Sequence, residues 1–359
     1  MNRLSSIPVL ALMSLLISCK VFENTSTESD STSKAWVVST FAGSTEGFAN
    51  GAGSTAQFDS PSGVAVDSRG NAYVADADNH RIRKITPARA VSTLAGGGIS
   101  GDTSGNTDGI GAAARFNYPS GVAVDSSDYV YVADSGNNRI RKITPLGVVS
   151  TLAGTGTEAR FSYPYGVAVD SSGNVYVADS GNHRIRKITP LGVVSTLAGS
   201  GTRGHVDDTG KKARFSYPYG VAVDSRGNVY VADSYNHRIR KITSADSIED
   251  RVVTTLAGTD TSGFADGIGS TAQFNRPSDV AVDSSGNVYV ADRENHRIRK
   301  ITTNRVVSTF AGSTEGFAEG IGSTAQFDYP SDVAVDSRGN VYVADTYNHR
   351  IRKIEYKVP

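Results

Sequence analysis

The stretch PYGVAVDSRGNVYVADSYNHRIRKI occupies residues 218–242 and alternates short apolar runs with polar turns. Runs of four to six residues that are rich in Val, Ile and Tyr and bounded by Asp, Ser, Gly and Asn are typical of antiparallel strands. Beyond the N-terminal region, no window of the chain has a convincing helical period. The stretch therefore predicts three short antiparallel strands joined by tight turns.

The same pattern occurs six times, which decides the architecture. Each copy begins at a proline, and the steps between these prolines are 58, 45, 54, 59 and 53 residues. A unit of this size cannot bury both of its faces alone, so such repeats pack against one another. The six prolines are Pro61, Pro119, Pro164, Pro218, Pro277 and Pro330.

A fourth strand completes each repeat and indicates how the ring closes. Five copies are followed by an outer-strand pattern that ends in Ala-Gly, but the sixth copy ends at Ile354 and lacks one. The missing pattern is found before the first copy, at residues 37–43. We therefore predict an all-β, six-bladed β-propeller with twenty-four strands, four antiparallel strands to a blade. The N-terminal strand should pair beside Arg350–Ile354 and close the last blade.

The repeat resembles the NHL family, whose Asn-His-Leu signature is written here as Asn-His-Arg in five copies and as Asn137-Asn138-Arg139 in the second. The resemblance covers residues 36–354 and implies a six-bladed propeller. It does not fix a function, because the family includes ligand sensors, protein-binding platforms, RNA binders and an amidating lyase. In that lyase branch, zinc-binding histidines directly follow the proline of the inner strand. Here those positions hold only Ser and Tyr, so the resemblance does not support lyase chemistry.

The N-terminus predicts an exported protein with a lipid anchor. Arg3 precedes a short apolar run that ends in Leu-Ile-Ser-Cys19, which resembles a bacterial lipobox. An ordinary secretory signal with an incidental cysteine is the alternative. We divide the chain into a signal peptide (residues 1–18), a Ser/Thr-rich tether (19–34) and the propeller (35–359). Cys19 would carry the lipid and hold the protein in a bacterial cell envelope, at the outer membrane or cell surface rather than the inner membrane.

Composition excludes several classes of function. Lys plus Arg and Asp plus Glu number 36 each, so no basic field favours nucleic acid as a partner. Cys19 is the only cysteine, which excludes an internal disulfide. The repeated histidines lie in turns far from the propeller axis, where they form a broad ring and not a metal cluster. We expect each histidine to bond within its own blade, and we expect no metal and no cofactor.

Two sets of aspartates recur in all six copies and are interpreted as structural. Asp67 and its equivalents end the first strand and should accept hydrogen bonds from turn amides. Asp76 and its equivalents open the second turn, and we expect each to pair with the arginine five residues later, Arg81 in the first copy. Neither set comes with a sequence feature that indicates catalysis.

A binding site needs asymmetry, so candidate ligand-binding residues are sought where the copies differ. The two residues after each proline should face the mouth of the central channel. They are Ser-Gly in the first two copies, Tyr-Gly in the third and fourth, and Ser-Asp in the last two. An aromatic side opposite an acidic side would suit a sugar, a peptide end or an amine. The candidates are Tyr165, Tyr219, Asp279, Asp332, Ser62, Ser120, Ser278 and Ser331.

The connecting loops differ as well. The loop before the third copy (residues 155–160) has six residues, whereas the other five have 14 to 19. This shortening should open a notch beside Tyr165. We expect a non-enzymatic binding module that presents its loop face to a protein, peptide or glycan, with no catalytic residue. The alternative is an envelope hydrolase or lyase that uses Asp279 and Asp332 with a divalent metal. Two carboxylates fall short of the six to eight oxygens that Ca²⁺ usually takes.

Overall fold

The computed structural model describes residues 34–97, 104–156, 160–245, 247 and 249–358. These residues form six antiparallel sheets, and the innermost strand of each sheet contacts the innermost strands of its two neighbours in a closed ring. The chain is therefore a six-bladed β-propeller, as the repeats predict. Cys19, the signal peptide and nearly all of the tether lie outside the described residues. Within the described residues, no helix has the length and apolar character needed to cross a bilayer.

Four strands of each blade lie where the sequence pattern places them, and they run from the channel outward. The innermost strands are Pro61–Val66, Pro119–Val124, Pro164–Val169, Pro218–Val223, Asp279–Val282 and Pro330–Val335. The second strands are Ala72–Asp76, Val130–Asp134, Val175–Asp179, Val229–Asp233, Val288–Asp292 and Val341–Asp345. The third strands are Arg81–Ile85, Arg139–Ile143, Arg184–Ile188, Arg238–Ile242, Arg297–Ile301 and Arg350–Lys357. The outer strands are Ala90–Gly96, Val148–Ala153, Val194–Ala198, Val252–Gly258, Val306–Ala311 and Ala35–Ala42.

Five blades contain a fifth strand that the sequence did not predict. Each is only two residues long and lies in the loop that leads into the innermost strand of its own blade. It pairs with the outer strand of that blade. The described residues thus form 29 strands and not 24, and only the blade with the short loop keeps four. The fifth strands are Gly51–Ala52, Gly109–Ile110, Asp208–Thr209, Gly267–Ile268 and Gly320–Ile321. Single-turn 3₁₀ helices occupy Gly111–Ala113, Ser135–Asn137, Ser180–Asn182, Gly210–Lys212, Ser234–Asn236, Gly269–Thr271, Arg293–Asn295 and Thr346–Asn348.

The N-terminal strand closes the ring. Ala35–Ala42 pairs antiparallel with Arg350–Lys357, and its Val38 lies opposite Ile354. Val38 and Phe41 are buried. Trp36 packs against Phe310 at 5.0 Å between ring centroids and so reaches the neighbouring blade. The first and last described strands of the propeller therefore belong to one sheet, which leaves no open interface between the first and the last blade.

The hydrophobic core consists of six separate layers, one between each pair of adjacent blades. In each layer, Val and Ile side chains of one blade, with the phenylalanine of the loop that leads into it, pack against Ala, Tyr and Ile side chains of the preceding blade. One phenylalanine at the end of each long loop is fully buried, as Phe58 and Phe215 illustrate. Because each layer joins two blades, no blade buries its core alone.

The buried ion pairs differ from the prediction in their partner. Asp76 pairs with Arg83, seven residues on, and not with Arg81. The equivalent pairs are 2.7–3.0 Å long in the other five blades. Arg83 lies two residues further along the strand, so it is fully buried and also donates to the carbonyl oxygens of Gln57 and Ala49. Its guanidinium therefore bonds to backbone carbonyl groups of a long loop as well as to the carboxylate. This explains why the aspartate pairs with Arg83.

The turn aspartates behave as predicted, whereas the histidines do not. Asp67 accepts hydrogen bonds from the backbone N–H groups of Arg69 and Asn71. Each histidine bonds to the next blade. Its Nδ1 atom accepts the N–H of the residue that precedes the innermost-strand proline of that blade. In the third blade, His183 accepts from Tyr217 at 3.2 Å. The second blade has Asn138 instead, whose Oδ1 accepts from Tyr163 at 2.7 Å.

Candidate functional site: the tyrosine cavity at the channel mouth

The innermost strands approach one another so closely near the channel mouth that four blades place glycine there. A Cβ atom on Gly121 would lie 2.5 Å from the carbonyl oxygen of Tyr165, and one on Gly166 would lie 2.6 Å from that of Tyr219. Below this level the Val-Ala-Val segments of all six blades line a channel of about 190 Å³. The last two blades place aspartate where the others place glycine, so this level is where the ring loses its symmetry.

The four candidate serines are part of the wall. Ser62, Ser120, Ser278 and Ser331 are all at least 92% buried. Ser62 Oγ donates to the carbonyl oxygen of Ser120, and Ser120 Oγ donates to that of Tyr165. Ser278 and Ser331 make the matching bonds to Pro330 and Ser62. Because these hydroxyls already join neighbouring blades, their role as ligand contacts stays a prediction.

Tyr165 and Tyr219 replace this serine in two adjacent blades and stack on each other. Their ring centroids are 4.5 Å apart and their planes differ by 15°. Both rings are half-buried. Tyr219 also contacts Tyr235 at 6.1 Å between centroids. Burial raises the pKa values of both hydroxyls, so both tyrosines are neutral at physiological pH. The structure therefore brings the two predicted tyrosines together as one aromatic surface.

This surface forms the floor of a cavity of about 380 Å³. Three further tyrosines that the sequence analysis did not single out line the cavity, namely Tyr118, Tyr163 and Tyr217. Each stands directly before an innermost strand with a positive φ of 45–47°. Ser60, Arg276 and Tyr329 have the same conformation at the equivalent positions of the other blades, with φ of 46–50°, so it is a feature of the scaffold. Tyr118 and Tyr163 are 55% and 68% exposed, so their rings are free to meet a ligand.

The two candidate aspartates lie beside the channel and form a hydrogen-bonded pair. Asp279 accepts the N–H of Val333 at 3.1 Å, and Asp332 accepts the N–H of Val64. Burial raises the pKa of Asp279 to about 8, and burial together with Asp279 raises the pKa of Asp332 well above its usual value. Both carboxyls therefore keep their protons to a higher pH than ordinary aspartates do. Both carboxyls contribute to the electrostatic environment of the Tyr165 hydroxyl.

Arg293 begins the turn between the second and third strands of the fifth blade, and the sequence analysis did not single it out. Its guanidinium carbon lies 5.4 Å from the centroid of the Tyr329 ring. Its charge also acts on the hydroxyls of Tyr165 and Tyr219, which places it within electrostatic reach of the stacked pair. A comparison of the six copies could have found it, because hydroxyl residues occupy the same position in four other blades.

The long loops contribute less to the mouth than their variability suggests. One loop position differs between the copies, and three copies place a phenylalanine there: Phe48, Phe264 and Phe317. Each of these rings covers the first arginine of a third strand. The distances from guanidinium carbon to ring centroid are 3.7 Å for Arg81, 4.0 Å for Arg297 and 4.3 Å for Arg350. These rings are thus anchored to the outer part of the blades. Among the described residues, no three His, Cys, Asp or Glu side chains converge as metal ligands.

Comparison with known proteins identifies the family. The model described as "NHL repeat" matches six segments, one in each blade. The matched residues are 58–85, 116–143, 161–188, 215–242, 274–301 and 327–354. The chain is an NHL-repeat protein. In five blades its signature turn contains the Asn-His dipeptide whose histidine joins the blade to the next.

Curated relatives share the repeat but are longer proteins. This NHL-repeat chain is 32% identical over 344 residues to human NHL repeat-containing protein 2, a match that covers 87% of the chain and 41% of the relative. It is 32% identical over 285 residues to the chloroplastic protein SUPPRESSOR OF QUENCHING 1 of Arabidopsis thaliana, covering 72% of the chain and 26% of the relative. The chain thus spans less than half the length of these relatives.

Solved structures share the fold at lower identity. A Bacteroides thetaiotaomicron protein of unknown function superposes with a TM-score of 0.72 and 22% identity, covering 90% of this chain and 77% of the other. A second protein from that organism, described as an auxiliary nutrient binding protein, gives 0.71 and 19% with the same coverage. A streptogramin B lyase gives 0.57 and 13%, covering 90% and 98%. These similarities show the propeller fold.

Proposed function

We propose that this NHL-repeat propeller is a non-enzymatic binding module whose ligand site is the tyrosine cavity. The observation that carries the proposal is the stacked pair of Tyr165 and Tyr219, which replaces a wall serine in two adjacent blades only. Tyrosine offers a large, rigid contact surface at a low cost in conformational entropy. A scaffold residue exchanged for an aromatic ring at one side of a symmetric ring is therefore best explained by ligand contact.

The size and chemistry of the cavity support a binding role. Its volume of about 380 Å³ falls within the range of pockets that hold small molecules or the end of a polymer. Five of the twelve residues that line it are tyrosines, and the wall serines already donate to backbone carbonyl oxygens. The ligand we propose is a protein, a peptide or a glycan. The similarity to a propeller described as an auxiliary nutrient binding protein agrees with this class of function.

The proposal includes a location in the bacterial cell envelope. The lipobox-like sequence that ends at Cys19 would supply a lipid anchor, and residues 20–34 would separate the propeller from the membrane. In a bacterial host, cells that express the Cys19→Ala variant should release the protein from the membrane fraction, and radiolabelled palmitate should no longer be incorporated. Labelling that persists in the variant would contradict the anchor.

Capture from an envelope extract tests the binding function. The chain from Lys34 onward contains all six blades and forms one compact unit, so it can be immobilised without the anchor. The test variant is Tyr165→Ser with Tyr219→Ser, because serine is the residue that four other blades carry there. A matched control is Leu146→Ser with Leu191→Ser, which removes two side chains that are 87% and 92% exposed outside the cavity. We expect the tyrosine variant alone to lose the captured species by at least tenfold. Equal capture by all three proteins would refute the proposal.

The raised pKa values of Asp279 and Asp332 favour one alternative, an envelope hydrolase or lyase that uses this carboxyl pair with a divalent metal. Both carboxyls also accept backbone N–H groups, which supports a structural role instead. Metal analysis of the purified protein separates these two roles. Stoichiometric metal that is lost in an Asp279→Asn and Asp332→Asn variant would support the enzyme, and a metal-free protein would count against it.

A further inference from the structure

The outer strand of the third blade, Val194–Ala198, has an open edge. In the other five blades a two-residue strand pairs with this edge, whereas among the residues that the structure describes the third sheet ends at Val194–Ala198. The cause lies in the sequence, because the loop before this blade has six residues and the fifth strands lie in loops of 14 to 19. The backbone groups along an open edge can pair with another chain.

The first valine of this strand shows that the edge is uncovered. Its equivalents lie opposite the fifth strands and are at most 4% exposed, whereas Val194 is only half-buried. These equivalents are Val38, Val91, Val149, Val253 and Val307. The neighbouring Val193 is 61% exposed, whereas the three valines at its position in other blades are 37–40% exposed. The third blade therefore presents an apolar surface beside its open edge.

The other blades show which contact this edge lacks. In the second blade, the Asp108 carboxylate accepts the backbone N–H of Thr151 at 3.1 Å and its hydroxyl at 3.1 Å. In the fourth, fifth and sixth blades, a loop carboxylate accepts the equivalent N–H. The matching residue of the third blade is Thr196, and no loop carboxylate among the described residues reaches its N–H. The edge therefore has a main-chain donor directed at the place where a fifth strand would lie.

We propose that the open edge of the third blade binds an extended segment of a partner protein, which adds the missing fifth strand. This site is separate from the tyrosine cavity and does not depend on the function proposed for it. The loops of this chain indicate the chemistry of the segment, because they occupy the same edge in the other blades. Their sequences there are Asn50-Gly51-Ala52, Asp108-Gly109-Ile110, Asp207-Asp208-Thr209, Asp266-Gly267-Ile268 and Glu319-Gly320-Ile321. We therefore expect a carboxylate followed by glycine and an apolar residue.

Charge and occupancy favour a partner protein over a second copy of this chain. Residues 180–200 contain three Lys or Arg residues and no Asp or Glu, so an acidic segment is complementary to this edge. In a second copy, the five segments of the required type already pair with their own outer strands. When a partner adds a strand to a sheet, main-chain hydrogen bonds supply affinity and alternate side chains supply specificity.

Fluorescence anisotropy with a peptide copied from the fifth-blade loop tests the proposal. The labelled probe has the sequence TSGFADGIGSTA of residues 261–272, which contains the fifth strand of that blade. We expect saturable binding to the wild-type protein. Two altered probes should bind at least about tenfold more weakly. Gly267→Pro removes a main-chain donor, and Asp266→Asn removes the carboxylate.

Three protein variants provide the matched comparison. Thr196→Pro removes an N–H that is directed away from the third strand, so the circular dichroism spectrum should be unchanged and the probe should be lost. Thr309→Pro makes the same change in the fifth blade, where Asp266 accepts that N–H, and should keep the probe. The third variant leaves the outer strand intact and exchanges residues 155–160 for residues 259–273. It gives the third blade its own fifth strand and should also lose the probe.

The results separate this site from the tyrosine cavity. Absence of saturable binding up to about 1 mM probe would overturn the proposal. Binding that survives Thr196→Pro or the loop exchange, or equal binding of all three probes, would do the same. A dimer in analytical ultracentrifugation that Thr196→Pro dissociates would replace the partner by a second copy. The Tyr165→Ser, Tyr219→Ser variant should bind the probe like the wild type, and loss of the probe in that variant would contradict a separate site.

Discussion

The N-terminal strand should contribute a large fraction of the stability of the whole ring, and Phe41→Ala tests this. Phe41 is 4% exposed and packs edge-to-face on Tyr342 at 5.3 Å between ring centroids. Truncation of a buried phenylalanine costs about 3–5 kcal/mol, since the transfer free energy is lost and a cavity remains. Val37 and Val38 are buried in the same strand. At about 1.5–3 kcal/mol for each of the three side chains, the strand supplies roughly 5–9 kcal/mol, comparable to the entire stability of an ordinary domain.

Urea denaturation measures this contribution, and Trp36 provides a local probe. Trp36 is the only tryptophan in the chain and lies in the N-terminal strand, so its fluorescence reports on ring closure. In the wild type we expect the fluorescence and far-UV circular dichroism transitions to coincide. Phe41→Ala should lower the free energy of unfolding by about 3–5 kcal/mol, and deletion of residues 1–43 should abolish cooperative folding. A Phe41→Ala cost below about 1 kcal/mol, or a fluorescence transition well before that of the circular dichroism, would refute the reasoning.

Three further predictions concern the scaffold. Arg240→Met should cost about 3–5 kcal/mol in urea denaturation, because it leaves the Asp233 carboxylate buried without its 2.8 Å ion pair, whereas Met at the exposed Arg226 should cost less than about 0.5 kcal/mol. Gly121→Ala should lower the free energy of unfolding by about 1–3 kcal/mol, because its Cβ would meet the Tyr165 carbonyl oxygen, whereas Gly156→Ala meets nothing within 4 Å and should be nearly neutral. The free energy of unfolding should fall as the pH rises from about 4 to about 8 and then level off, because unfolded Asp279 loses its proton near its ordinary pKa of 3.8 whereas the folded-state pKa is raised to about 8. Asp279→Asn should flatten this decline, and an unchanged slope would contradict the raised pKa.

The fold could be predicted from the sequence because every blade forms the same strands and buries its faces with the same residue types. Six copies of one pattern determine the number of blades, and the displaced outer strand at residues 37–43 determines the closure. The five two-residue strands could not be predicted in this way, because they lie in loops whose sequences lack β-branched alternation. Their pairing depends on where the loop returns to the outer strand.

The sequence also could not predict which partner each recurring charged or polar side chain binds. The spacing of Asp76 and Arg81 suggested an ion pair, but the three-dimensional structure favours Arg83, which also reaches the loop carbonyl groups. The histidine bonds cross to the next blade, so no single repeat contains both partners. At the mouth, Tyr165 and Tyr219 were found because the copies differ there. Arg293 differs from its equivalents in the same way but lies in a turn, where the comparison of inner strands did not reach.

Capture from the envelope extract by the wild-type propeller and by the Tyr165→Ser, Tyr219→Ser variant tests the central claim most directly. We expect this variant to lose the captured species by at least tenfold, because the stacked rings line the cavity, whereas the Leu146→Ser, Leu191→Ser control should keep it. Equal capture by all three proteins would contradict the account.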